Sequence, residues 1–276
     1  MGWQGYVIAV IVFLCAVYAF HGMYRVAKTW PLVSLSAIQY SSAAHFKGLF
    51  AFRVVVAALY ITTLIYQLTH QEGRAFTMYT VWNFTLQMVY FLWAIKVQVA
   101  EWCHVGSSSL VPMTRERQWL STLFTVIFST SFLVALVYWS VIYKTSTWWV
   151  GYMEHAGNNA ILILEFCLNH SFMVRADAPF AAVWPVLYVT VIWICKATFL
   201  EKWPYTFMNQ DKAIAPVMYL GVIVAHIACF GFVLLLAKAK AKYLPKRCHI
   251  TTDMTKEDVV YSHCQSAKDE LVASHA

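Results

Sequence analysis

Charge is what this chain has least of. Only 12% of its 276 residues are Asp, Glu, Lys or Arg, where soluble domains run at about 25%, and 61% are hydrophobic. A water-facing surface cannot be built from that composition, which excludes a soluble domain and points to a multi-pass membrane protein. A Cys-x-x-Cys pair is also missing. The cysteines number seven, an odd total, and Cys15, Cys167, Cys195 and Cys229 sit inside apolar runs, so neither a disulfide framework nor a zinc site is indicated. No basic residue precedes the first apolar run and no clear small-x-small cleavage site follows it. Arg25 and Lys28 come after it, so it reads as a retained anchor rather than a cleaved signal. Motifs for nucleic acid, receptors and internal repeats are lacking, as are the paired Gly or Pro breaks of transporters. The net charge of +7 therefore suits an anionic leaflet.

What the chain does have is apolar length. A hydrocarbon core of roughly 30 Å takes about 20 helical residues at 1.5 Å each. Stretches near 5–24, 49–68, 78–99, 119–143, 151–171, 180–200 and 214–237 are each long enough. The expected fold is all-α, a transmembrane helical bundle of about seven spans. Residues 1–48 would form an anchor span and cytosolic loop, 49–243 a six-helix membrane domain, and 244–276 a polar cytosolic tail without a sustained apolar period. Basic residues gather in alternate loops and in the tail (Arg25, Lys28, Lys47, Arg115, Arg117, Arg175, then Lys238 onward), which predicts a cytosolic carboxyl end in the plasma membrane or an endomembrane. Cys248, beside Lys246 and Arg247, is a candidate for acylation.

Two of the apolar stretches carry polar stripes. In TMYTVWNFTLQMVYF, Thr77, Thr80, Phe84 and Gln87 recur every three or four residues, with Asn83 beside them. Glu154, His155, Asn158, Asn159, Glu165 and Asn169 interrupt the stretch at 154–170. Polar groups in lipid are costly unless they face the protein interior, so each stripe must line a cavity or another helix. The plain reading is interhelical hydrogen bonding at about 0.6 kcal/mol per contact. The chemical reading singles out Thr80 near one end of its span and His155, whose imidazole can move protons near neutral pH. Asn83, Gln87, Asn158, Asn159 and Glu165 are the accompanying candidates for ligand binding. No metal and no cofactor is expected: a bis-histidine haem would have to pair His226 with His155 at matching depth.

The segment MYTVWNFTLQMVYF resembles the second membrane helix of the androgen-induced protein family, EHAGNNAILILEF resembles its histidine-bearing helix, and Trp193 with WPYTFMN at 203–209 resembles the stretch that closes its domain. The likeness runs through residues 49 to 238 in order. It extends to the rolling stone proteins, which share this membrane domain. Androgen-induced members are intramembrane threonine hydrolases of fatty-acid esters of hydroxy fatty acids. The resemblance puts Thr80 at the nucleophile. The family's base is the second histidine of N-H-x-x-H, where this chain has Asn158 after His155, and Asn cannot act as a general base. At this motif the chain is closer to the rolling stone branch, membrane proteins tied to cell fusion. The expectation is therefore a membrane protein with a degenerate or altered hydrolase site. Its partners would be membrane lipids or a lipid ester, with no nucleic acid. The alternative is a working threonine hydrolase in which His155 takes the proton.

Overall fold

The computed structural model describes residues 2–29, 37–38, 43–71, 74–102, 111–112, 114–143, 148–169, 171 and 173–243. His170, the tail from 244 and Cys248 lie outside the described residues. The long elements are α1 (Trp3–Thr29), α2 (Ala43–Gln71), α3 (Tyr79–Ala100), α4 (Arg115–Val137), a short α5 (Trp149–Tyr152), α6 (Asn158–Leu168), α7 (Ala178–Thr198) and α8 (Ala215–Tyr243). A two-residue antiparallel pairing joins Ala37–Ile38 to Val111–Pro112.

Each apolar stretch expected from the sequence is mostly helical over its described residues, and five helices are long and apolar enough to cross a membrane. The other two fall short for local reasons. Helix α3 carries Thr80, Asn83, Thr85, Gln87 and Gln98, which dilute its hydropathy. The stretch at 149–168 is broken by a wide π turn, Met153–Gly157, between α5 and α6. A second π turn, Tyr138–Ile142, ends α4.

Helix α4 is the centre of the bundle. Its apolar window is 72% buried, whereas that of α1 is 11% buried, so α1 is a flank that faces lipid. Helix α4 packs on α3 and α8, α2 packs on α3, and α1 lies along α7. Lipid tails are as apolar as the side chains, so packing and hydrogen bonds, not exclusion from water, hold such helices together. Rings supply much of the packing: Tyr60 stacks on Phe84 at 4.2 Å, and Phe128 stacks on both Phe124 and Phe166 at 5.4 Å. Small residues supply close approach. A Cβ added to Gly22 of α1 would stand 2.6 Å from Cγ of Pro179 on α7, so only glycine fits that crossing.

At the end of the bundle where α8 finishes, a buried polar network joins four helices. Arg53 of α2 reaches Glu165 of α6 at 2.5 Å and the Oε1 of Gln98 on α3 at 3.0 Å. The Tyr90 hydroxyl donates to the same carboxylate at 2.7 Å, and Gln98 donates to the Phe46 carbonyl at 2.8 Å. Lys240 donates to the carbonyls of Phe166 and Asn169, which end α6 and would otherwise lack partners. Nearby, the Asp177 carboxylate accepts from Thr122 at 2.8 Å and Thr125 at 2.9 Å of α4, tying the start of α7 to the central helix.

Candidate functional site: an apolar cavity between α1, α4, α7 and α8

The opposite half of the bundle contains a cavity of about 460 Å³. That volume lies within the roughly 300–1,000 Å³ of small-molecule sites. Its wall is carbon nearly throughout, supplied by residues such as Val134, Val186, Val189 and Val222. Leu14, Tyr18 and Ile227 belong to the wall and are also exposed on the outer surface of the helices. The exposed part of the wall that α1 and α8 supply is therefore apolar.

Polar side chains interrupt this wall, Tyr79, Tyr188 and Tyr219 among them, together with three further groups. The first is Thr80 with Tyr205. Tyr205 sits in the connection between α7 and α8, just before the short 3₁₀ turn Thr206–Met208. Its phenol oxygen accepts from the Tyr79 N–H at 3.0 Å and lies within hydrogen-bonding reach of Thr80. Burial pushes the Tyr205 phenol up from its ordinary value, while the Thr80 and Tyr79 donors act the other way. The hydroxyl therefore stays protonated and retains a hydrogen to give.

The second is His155. It sits in the π turn before α6, and its ring lies flat on Tyr138 of the other π turn, with centroids 3.5 Å apart and planes 5° from parallel. Two widened turns thus face each other and hold the imidazole at the cavity wall. Such turns recur at functional sites because they aim side chains that a regular helix would point elsewhere. Nδ1 of His155 is buried without a hydrogen-bond partner. Glu154, next in chain, keeps one oxygen unpartnered while Gln67 bonds the side chain.

The third is His226 of α8, deep in the wall and 8% exposed, with the Ala181 carbonyl of α7 as its polar neighbour.

The structure thus brings Thr80 and His155 to one cavity. Among the described residues no hydrogen bond joins them, and the polar neighbour of Thr80 is Tyr205. The other sequence candidates lie elsewhere, because none of them lines the cavity. The Asn83 oxygen accepts from Thr130 at 2.6 Å, and the Gln87 oxygen accepts from Tyr60 at 2.5 Å. Asn159 donates to Asn158 at 3.0 Å, and Glu165 is the anion of the Arg53 network. A regular helix would set His155, Asn158 and Glu165 along one broad face; the π turn Met153–Gly157 holds an extra residue and interrupts that phase at His155. Asn83 Nδ2, Gln87 Nε2 and Asn159 Oδ1 are left unpartnered in this seam.

Tyr205 carries no role in the sequence reading, although it stands inside the WPYTFMN stretch. Comparison with protein-family models, with curated proteins and with solved structures gave no match.

Proposed function

We propose that this membrane protein crosses the bilayer about seven times with a cytosolic carboxyl end, is similar to the rolling stone proteins, and holds a single-chain lipid in its cavity. The site is an altered form of a lipid-ester hydrolase site. One observation carries the reading: Thr80 and His155, from segments far apart in the chain, both line one largely apolar cavity whose wall includes exposed residues of α1 and α8. A ligand that enters there is itself largely apolar, since the wall would not repay a polar body for losing water. Its head belongs at the Thr80 and Tyr205 end, where a protonated phenol is available to donate. The seven crossings are supported by the helices that continue where the apolar stretches run, and the orientation by the placement of Lys and Arg.

A second reading, hydrolysis, is favoured by the same pair. In it the Thr80 oxygen attacks the ester carbonyl while His155 removes the hydroxyl proton, and Tyr205 O–H donates to the developing oxyanion. The alcohol leaves with the proton from His155, and water then releases the acyl group by the reverse arrangement. That no hydrogen bond joins Thr80 and His155 among the described residues supports the altered-site reading.

Labelling of membranes with a fluorophosphonate probe separates the two. Folded wild type that binds a photoreactive fatty alcohol yet takes no fluorophosphonate is the expected result. Labelling that disappears in Thr80→Ala would overturn the altered site in favour of the hydrolase.

A further inference from the structure

Glu154 and Gln67 stand outside the cavity wall, yet each keeps a buried side-chain oxygen without a hydrogen-bond partner. Glu154 lies in the π turn Met153–Gly157, directly before His155, and is 5% exposed. Gln67 of α2, equally buried, brings its amide within hydrogen-bonding reach of the Glu154 carboxyl. Among the described residues no Lys or Arg pairs with Glu154.

The protonation state decides whether these two side chains fit each other. An ionised carboxylate only accepts, whereas an amide has N–H donors and one acceptor oxygen. Against an ionised Glu154, the amide N–H serves one carboxylate oxygen, and the other carboxylate oxygen and the amide oxygen remain two acceptors without a donor. One proton removes both faults. The acid O–H donates to Oε1 of Gln67, the amide N–H donates to the other carboxyl oxygen, and a ring of two hydrogen bonds closes. A proton also needs no void, and both unpartnered oxygens are sealed from open space. A carboxylate buried without a cation is the costlier arrangement.

The neighbouring elements offer no better partner. Helix α2 also carries His70, which packs on Tyr66 and Trp148. Tyr79 begins α3, Tyr152 ends α5, Tyr138 faces the turn from the end of α4, and Tyr205 comes from the α7–α8 connection. Gln67 alone among these is a bonding partner of the carboxyl. We propose that Glu154 is a proton-binding site, which keeps its proton at neutral pH, forms an acid–amide pair with Gln67, and thereby positions the turn that carries His155. The turn is then held from two sides. Helix α2 holds it through the pair, and the end of α4 holds it through the Tyr138 ring and the Trp139 N–H, which donates to the His155 carbonyl at 3.3 Å. A π turn is rare without such support. Loss of the proton restores both faults and releases the turn from α2, so the contribution is present at low pH and lost as pH rises through the titration of Glu154. The pair serves equally a cavity that holds a lipid and one that cleaves an ester.

The test is infrared spectroscopy of the purified full chain in lipid nanodiscs at neutral pH. The expected wild-type spectrum contains a carboxylic-acid carbonyl band that moves on isotopic labelling of the glutamate carboxyl carbon, which separates it from Asp177 without any variant. The band should vanish in Glu154→Gln and shift in Gln67→Leu, where the acid loses its partner. Glu154→Gln keeps both hydrogen bonds, because its amide replaces the acid O–H, and should melt within about 1 °C of wild type. Gln67→Leu should melt about 5 °C lower. In that variant alone, carbethoxylation of His155, mapped by mass spectrometry, should be severalfold faster.

A wild-type spectrum without the glutamic-acid band overturns the proposal, as does a band that Gln67→Leu leaves in place. Glu154→Gln melting as low as Gln67→Leu would show that the site needs a carboxylate. Stabilisation of wild type by sodium but not potassium, absent in Glu154→Gln, would give the two oxygens to a metal cation and overturn the proton.

Discussion

The two ends of the bundle treat buried polar groups in opposite ways. Around Glu165, charge and amide are matched: Arg53, Tyr90, Asn169 and Gln98 each donate to a facing acceptor, and Lys240 closes the end of α6. Around the cavity, Nδ1 of His155 and both nitrogens of His226 are buried within the wall without partners. A buried polar group is costly without a partner, so the first arrangement braces the bundle and the second holds its helices less firmly. Both sets of residues look alike as polar interruptions of apolar sequence. Only their partners distinguish them.

The sharpest way to break this comparison is to unpair the brace. Arg53→Leu leaves the Glu165 carboxylate buried without its cation, and should cost about 3–5 kcal/mol, while the double change with Glu165→Leu recovers most of it. Fluorescence-detected size exclusion should show loss of the monodisperse peak in the single variant and its return in the double one. Next in size is a change at the cavity. Ala182→Phe projects a ring into the open volume and should weaken fatty-alcohol binding more than about tenfold, with a stability change within about 1 kcal/mol. Equal loss of binding and of stability there would erase the distinction between the two ends.

Gly22→Leu acts on the flank that closes the cavity. With Pro179 already in contact range, α1 must move away from α7, and Cys15 on the cavity wall should react faster with a membrane-permeant maleimide. The smallest effect belongs to the polar seam between the two ends. Asn159→Leu removes contacts of 3.0 and 3.4 Å and should cost about 0.6 kcal/mol, typical of one interhelical hydrogen bond in a membrane. Thermal melting in detergent checks it, and lipid binding should be unchanged.

The membrane class was legible in the low charge and in the apolar stretches, five of which coincide with helices long and apolar enough to cross a membrane. Thr80 and His155 were legible as polar residues at costly positions, and they share one cavity. The sequence places His155 with Asn158 and Glu165 in one apolar stretch, as if on an unbroken helix. The π turn at Met153–Gly157 leaves no mark in hydropathy, because one extra residue in a turn depends on what α4 presents opposite. Tyr205 went unassigned because a connecting segment has no period from which to infer a facing side chain. The signal for His226 was present in two separate places. It is a histidine deep in an apolar run, and Pro185 stands four residues after Ala181, but their meeting across α7 and α8 is a tertiary fact.

The most direct test of the lipid-holding cavity is photocrosslinking in native-like membranes with a diazirine-bearing fatty alcohol, followed by peptide mapping. Adducts at Val189, Val222 and Ile223 that disappear in Ala182→Phe are the predicted result. Adducts confined to the exposed outer face of α1, at Val7 and Val10, and unchanged by Ala182→Phe would contradict it.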